Sequence, residues 1–345
     1  MASSLALLLH PSANRVYAEA SVALTVAELT ILGERVLGGR LAEPRPEVIA
    51  GVPYLVFEVE DLTDQDLRHL ANVSTTYALF EREGDLLRPL ALTPLDRHDD
   101  DLLSTLKYSG KTNETFTKLL LNVTVLASST ADRMLEDRLR VLDPLCGRGT
   151  TLNQALMYGW DAAGVDVDGK DFDAYVAFLR YWLEHKRLKH TLAKHPVRHQ
   201  GKPRATRLEA TFARDKAALR SGAAQRVEVV HADTLRAGEF FRPRSFDVVV
   251  ADAPYGVQHG SRSTSGGLAR RPLDLVAEAL PVWIPLLRRG GALGIAWNTK
   301  VASRDSLADL LRDAGLEVVD TPGYLDLEHR VDQAIVRDVM VARRP

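Results

Sequence analysis

From Arg140 to the C-terminus, short and almost continuously apolar runs alternate with amphipathic segments, and this alternation constrains the fold more than any other feature of the chain. The runs RVLDPL, DAAGVDV, RVEVVHA, FDVVVADA and GALGIAWN read as strands. Between and after them, TLNQALMYG, DFDAYVAFLRYWLEHK, LDLVAEALPVWIPLLRRG and SRDSLADLLRDAG read as helices. A strand with no polar face must be covered on both sides, which predicts a parallel, doubly wound, Rossmann-like α/β sheet. Two further strands, one ending at Asp320 and the other AIVRDVMVAR, would close it. Such sheets bind ligands in the crevice outside the carboxyl ends of their strands. Polar residues that end these runs are therefore the candidates for function.

The first hundred residues read differently. SLALLLH, VPYLVFEVE and TTYALFER have strand character, and TVAELTILGERVL and LTDQDLRHLAN are amphipathic. Their order predicts a small ferredoxin-like α+β module over residues 1–100. A polar stretch, Thr93–Asn113, would separate it from a second domain over residues 107–345. The short apolar stretch at the start has no basic residue ahead of it, so a first strand is expected there rather than a secretory leader. No apolar run approaches the roughly 20 residues that span a bilayer. The only cysteine, Cys146, excludes an internal disulfide and suits a reducing, cytoplasmic setting.

A net charge of −2 conceals an asymmetry. Between His185 and Arg226 there are twelve Lys and Arg against Glu209 and Asp215, a balance of +10, which leaves −12 for the remainder. A basic insertion over about 185–226 has the composition of a nucleic-acid footprint, and equally of a solvated, partly disordered segment. Its four histidines, His185, His190, His195 and His199, have spacings that share no helical face, and no acid or cysteine completes a zinc set. No metal site is expected.

Two segments carry the chemistry. In the first, VLDPLCGRGTTL at Val141–Leu152, Gly147 and Gly149 occupy a strand-to-helix turn where backbone passes close to a ligand. Asp143 ends the first strand, where a carboxylate can reach an ammonium group or water. Asp166 and Asp168 end the second, where an acid can bond ribose hydroxyls. Asp233 ends the third and could accept from an adenine amine. Each acid could alternatively cap the helix that follows. In the second segment, VVVADAPYG at Val248–Gly256, the tetrapeptide Asp252-Ala253-Pro254-Tyr255 ends the fourth strand. An exocyclic base amine is a poor nucleophile. A carboxylate and backbone carbonyls that accept its protons would offset the charge that develops as a methyl group arrives. Pro254 would stiffen the turn and Tyr255 could stack on the base. His259 and the SRSTSGG loop, Ser261–Gly267, follow directly, with His259 as readily a loop residue as a substrate contact.

DPLCGRGT resembles the D-P-x-C-G-x-G-T motif of S-adenosylmethionine-dependent amino-methyltransferases, and DAPYG resembles their D-P-P-Y-G, with Ala253 in place of the first proline. The segment Tyr108–Ser128 is similar to the one that leads into the catalytic domain of the THUMP-associated tRNA guanosine-N2 methyltransferases. The similarity covers about Tyr108 to Val341, and the hundred residues before it are shorter than a complete THUMP-containing extension. The resemblance implies S-adenosylmethionine as cofactor, in contact with Asp143, Pro144, Cys146, Gly147, Gly149 and Thr150. It also implies that Lys111, Thr112 and Asn113 help enclose the cofactor's methionine end. The implied reaction is methylation of an exocyclic amine, guanine N2 of tRNA above others, with Asp252, Pro254 and Tyr255 as catalytic residues. A small-molecule or peptide amine, DNA adenine, and an RNA-binding protein that merely retains the cofactor fold are the alternatives. Methylation of a pyrimidine carbon is excluded, because it needs a cysteine nucleophile and Cys146 lies in the cofactor turn.

Overall fold

The computed structural model describes the 345-residue chain except residues 12–14, 107, 109–110, 200–201 and 255–271; for residues 15–19, 199, 202–203 and 272 it describes the backbone alone. The chain builds two sheets. The first is antiparallel, formed by β1 (Ala2–Leu9), β2 (Arg45–Ile49), β3 (Val52–Glu60), β4 (Thr76–Glu83) and β5 (Leu86–Pro89) in the order β2-β3-β1-β4-β5. Helices α1 (Arg15–Arg35) and α2 (Asp64–Leu70) complete a ferredoxin-like βαββαβ arrangement, with β5 as an added edge strand. Sequence reading misses β2 and β5, which are mostly exposed edge strands without an apolar alternation. It also begins α1 about ten residues late. This helix is buried almost all round between residues 24 and 33, so it has no polar stripe to mark its ends.

Helix α1 packs against α4 (Glu114–Ala127) and shares one apolar cluster with β1 and β3. A polar knot sits at that junction. The Glu28 carboxylate accepts from the backbone N–H and hydroxyl of Ser74 and from Asn122 Nδ2 at 2.7 Å, while Asn122 Oδ1 accepts from the Tyr158 hydroxyl at 2.8 Å. Burial raises the Glu28 carboxyl above its usual range. A single apolar cluster runs through both sheets, from Leu5 and Phe57 by way of Leu119 and Leu120 to Val141 and Val227. The connecting stretch is strapped down as well. Its one-turn helix α3 (Asp101–Ser104) presents Asp101, which with Asp99 holds Lys186, and Arg97 N–H donates to Met157 O.

The second sheet comprises β6 (Arg140–Asp143), β7 (Asp161–Asp166), β8 (Lys189–His199), β9 (Lys202–Ala213), β10 (Gln225–His231), β11 (Phe246–Asp252), β12 (Leu287–Asn298), β13 (Glu317–Val318), β14 (His329–Arg330) and β15 (Val336–Arg343). Their order is β13-β15-β12-β11-β6-β7-β10-β9-β8, with β14 paired to β15 alone. Strands β10, β7, β6, β11 and β12 are parallel, and β15 is inserted antiparallel beside β12. The connections carry α5 (Thr150–Met157), α6 (Gly169–His185), α7 (Lys216–Arg220), α8 (Ala237–Phe240), α9 (Pro272–Leu286), α10 (Arg304–Asp313) and α11 (Pro322–Leu325). The expected doubly wound sheet is present. Its strand order reverses between β6 and β11, which fixes the crevice at their carboxyl ends.

Two sequence expectations need correction. LLRRG does not end α9: the helix stops at Leu286, and Leu287 begins β12 by pairing with Phe246. The basic insertion is not a solvated strip either. Residues 189–199 and 202–213 form a two-stranded ribbon, β8 and β9, that extends the sheet antiparallel to β10. Leu208, Ala210 and Phe212 anchor it by turning alternately inward, with Phe212 set against Trp182 of α6. Among the described residues, no helix is long and apolar enough to cross a membrane, and no group of three or more His, Cys, Asp or Glu could hold a metal ion.

Candidate active site

Strand β6 is buried to its last residue, Asp143, which is 3% exposed. Leu142 pairs with Val249, so Asp143 stands one residue beyond that pair and Asp252 three beyond it, on the neighbouring strand. Asp143 therefore forms the floor of the crevice and Asp252 its rim. Burial pushes the Asp143 carboxyl up to about 7, opposed by hydrogen bonds from Leu145 N–H and Thr151, while the carboxylates of Asp252 and Asp166 push it up further. Three acids thus converge on this part of the crevice.

The glycine turn lies over this floor. Cys146 N–H donates to Val165 O, and Gly149 N–H donates to Cys146 O at 2.7 Å, which closes the turn before α5. Gly147 and Gly149 both have left-handed φ, +48° and +80°. Their reasons differ. A Cβ at Gly149 would lie 2.4 Å from the Tyr175 ring, so that glycine serves packing. A Cβ at Gly147 would meet nothing within 4 Å. There the missing side chain leaves open space beside the acids, as a backbone that must approach a ligand requires. Cys146 is buried, and burial raises its thiol well above the usual range.

Asp166 has a more structural role than the sequence predicts. Its two oxygens accept the N–H groups of Gly147 and Asp168, both at 2.7 Å, which locks the turn to the end of β7. Asp168 caps α6 by accepting from Lys170 N–H, and Asp233 caps a 3₁₀ turn by accepting from Leu235 N–H. The helix-capping role weighed for these acids is thus what the structure shows, and a carboxylate so used keeps further acceptor capacity. Between them Val167, a large apolar side chain 64% exposed, follows Asp166 directly. Across from it, His231 ends β10 in register with Asp166.

Strand β11 is buried until Asp252 emerges. Thr112 Oγ1 donates to Asp252 Oδ2 at 2.5 Å and joins residues 140 apart in sequence. Its neighbours are otherwise engaged. Asn113 caps α4 through Thr115 and Phe116 N–H, while Lys111 Nζ bonds Leu103 O and Glu114. The structure therefore brings Thr112 of this trio to the crevice rim by a direct contact. Ala253 is buried, its N–H bonded to Ala296 O at 2.9 Å, and Pro254 is exposed. Tyr255, His259 and Ser261–Gly267 lie outside the described residues.

Sequence reasoning missed several residues here. Tyr108 lies under the Arg148 guanidinium, 4.6 Å from its ring centroid, and Arg148 is paired with Asp171 at 2.8 Å. The Tyr108 hydroxyl is 3.4 Å from Thr150 Oγ1, so Tyr108 borders the turn. On the opposite side, His329 packs against Phe116, whose ring also lies under Arg337. Burial lowers the His329 imidazole to about 4, so it is neutral near pH 7. Tyr108 opens the segment that resembles the methyltransferase lead-in, where nothing local marks it for a role, and His329 belongs to no motif; only the tertiary fold sets them against their partners.

No known protein family and no curated protein matches the chain. Among solved structures it is similar to a TehB-like SAM-dependent methyltransferase of Corynebacterium glutamicum, at 18% identity over 62% of this chain and 84% of that one, with a TM-score of 0.34. A 1,6-didemethyltoxoflavin-N1-methyltransferase of Burkholderia thailandensis is similar at 15% identity over 69% and 93%, TM-score 0.36. The 16S rRNA N2 G1207 methyltransferase of T. thermophilus is similar at 15% identity over 92% and 61%, TM-score 0.37. Likenesses this distant bear on fold alone, which the strand order already carries.

Proposed function

We propose that the protein is a methyltransferase that uses S-adenosylmethionine to methylate an exocyclic amine of an RNA base, with guanine N2 of tRNA the leading substrate. One observation carries the reading: Thr112 fixes the Asp252 carboxylate at the rim of the crevice. The buried carboxyl at the floor adds to it. A ligand with a sulfonium and an ammonium would bring positive charge to Asp143, which burial and neighbouring carboxylates hold at about 7. The open space at Gly147 is a cradle that a Cβ would fill. The residues thus fit the cofactor, which when bound supplies an electrophilic methyl group.

The chain's own groups do the remainder. Gly147 and its neighbours bring backbone close to the methionine end, above Asp143. Asp168, Val167 and Asp233 offer ribose acceptors, an apolar contact for adenine and an acceptor for its amine, in that order along the rim. Asp252 accepts a proton of the substrate amine, which localises the nitrogen lone pair and offsets the developing positive charge. The Ala253 amide, tied to β12, holds the next carbonyl in place for the second proton. Tyr255 is assigned to stack on the base after it leaves its helix.

The test is transfer of labelled methyl from S-adenosylmethionine to unmodified tRNA, followed by nucleoside analysis. Wild type should label N2-methylguanosine, whereas Asp252→Ala should bind cofactor and transfer nothing. Cofactor binding without incorporation into any RNA would overturn the substrate. Equal turnover by Asp252→Ala would overturn the site. A small-molecule amine is the second reading, favoured by an apolar hollow against Ala253 lined by Val276, Ile295, Trp297 and Leu307.

A further inference from the structure

The reach of Thr112 to Asp252 depends on the first turn of α4. Asn113 caps that turn and accepts the Phe116 N–H at 3.2 Å, so Phe116 is tied to the residue that follows Thr112. The Phe116 ring is fully buried. Two side chains of the β14–β15 hairpin touch it: His329, with ring centroids 5.1 Å apart, and Arg337, whose guanidinium carbon lies 4.2 Å from the ring centroid. His329 and Arg337 are partners across the hairpin. Strand register sets them beside the crevice. Asp252 pairs with Ala296 and Ala296 with Val339, while Val250, Ala296, Val339 and Phe116 share one apolar cluster. Strand alternation therefore puts Asp252 and Arg337 on the α4 side of the sheet as well, with Arg337 about 7 Å beyond the row of Asp252.

Packing alone does not explain these residue types. Arginine is rarely buried, yet Arg337 is 5% exposed, and an apolar side chain would fill the same space without the cost of desolvating a charge. His329 is buried too. Its Nδ1–H donates to Leu327 O at 3.0 Å, and its imidazole lies within electrostatic reach of both the Arg337 guanidinium and the Asp252 carboxylate. What a cation brings to an aromatic ring is direction. It prefers the ring face, and so fixes a tilt that an aliphatic contact would leave free. The hairpin is braced on the same helix. In the segment leading to β14, the Tyr324 hydroxyl donates to Val123 O at 2.9 Å, and Asp338, next to Arg337, is paired with Arg304. Brace and ring contact thus grip α4 about two turns apart.

We propose that Phe116 and Arg337, backed by His329, are positioning residues: the hairpin clamps the Phe116 ring, and through the first turn of α4 this sets the Thr112 hydroxyl on Asp252, a role that rests on Asp252 as the acceptor of the substrate's proton. The clamp lies on the β12 side of β11, whereas the glycine turn follows β6 on the other side. It therefore acts on the chemical step and leaves cofactor binding alone.

The experiment compares full-length Phe116→Leu and Arg337→Met, each alone and combined with Thr112→Val. It measures kcat for labelled methyl transfer to tRNA, S-adenosylmethionine affinity by calorimetry, melting, and hydrogen exchange over residues 112–118. Each single variant should speed exchange in the first turn of α4 and lower kcat roughly tenfold, within the ~100-fold that a misplacement of about 1 Å can cost. Cofactor affinity should stay at the wild-type value. In the Thr112→Val background each should lower kcat by less than about twofold further, because the hydroxyl it positions is gone. A merely structural loss would instead add to that of Thr112→Val, and additive losses overturn the clamp. Faster exchange with wild-type kcat, or unchanged exchange in both variants, overturns it equally. Arg337→Met keeps the buried space filled and carries the test if Phe116→Leu does not fold. A wild type that transfers no methyl to RNA overturns the activity instead, and exchange in the first turn of α4 then decides the clamp by itself.

Discussion

Substituting Asp143 by Asn should move cofactor affinity and apo-protein stability in opposite directions. In the free protein the Asp143 carboxyl titrates at about 7 because it is buried with other acids nearby. A ligand that brings positive charge to it binds the ionised form, so below that value binding must expel a proton. The linkage gives an affinity gain of about 25-fold, close to 1.9 kcal/mol, between about pH 5.5 and about pH 7.5. The range stops there because the ligand's own α-amino group titrates at roughly 7.7–8.0. Stability runs the other way. A carboxyl raised on folding favours the folded state fully below the unfolded value of 3.8, and this contribution is lost as pH rises through 7. Apo wild type should therefore lose stability between about pH 4 and about pH 7 from this group. Asp143→Asn has nothing to ionise and retains an oxygen for Leu145 N–H, so it should melt higher than wild type near neutrality. It should also bind S-adenosylmethionine more weakly, with a flat pH profile. Calorimetric titration in two buffers of different ionisation enthalpy reads the released proton directly. Affinity independent of pH in the wild type, with no proton exchanged, would refute the placement of cofactor charge at Asp143.

The two glycines of the turn should separate by phenotype. Gly149→Ala places a Cβ 2.4 Å from the Tyr175 ring at a φ of +80°, so melting should drop sharply. Gly147→Ala meets no atom and should cost only the ~1–2 kcal/mol of a left-handed alanine, yet it should abolish cofactor binding. Similar melting losses in both, with cofactor binding retained by Gly147→Ala, would remove the cradle. Thr112→Val deletes the hydroxyl that positions Asp252, a charge-assisted bond worth about 1.5–3 kcal/mol. The expected result is a fall in kcat of roughly 10- to 100-fold with cofactor affinity unchanged, restored by Thr112→Ser. A fall in cofactor affinity at constant kcat would return Thr112 to the enclosing role that its motif implies.

Legibility in the sequence followed burial. Strands β6, β7, β10 and β11 are covered on both faces, and their apolar runs announced them. Strand β9 is hard to see in the sequence although Leu208, Ala210 and Phe212 alternate with Arg207, Glu209 and Thr211, because the period of two covers only six residues inside a strongly basic stretch. At the site, the residues that end strands were legible and their partners were not. Asp252 was evident as a strand-terminal acid, but nothing in its neighbourhood names Thr112, which arrives from before α4. Asp166 was read as a ligand acid because its use as a clamp on Gly147 depends on a turn closed in three dimensions.

The charge asymmetry of the chain becomes intelligible once the fold separates it in space. A strip of +10 within a chain of −2 would be self-cancelling if the ribbon folded back across the crevice. Instead Lys194 pairs with Asp173 and Arg207 with Glu209, so part of the strip's charge is met on its own flank of the sheet. Burial first, and neighbouring carboxylates after it, hold the Asp143 carboxyl at about 7. On the proposed reading, a cationic cofactor belongs beside the buried Asp143 carboxyl and the polyanionic backbone of an RNA does not, so the neutral base is the part of that substrate suited to enter the crevice.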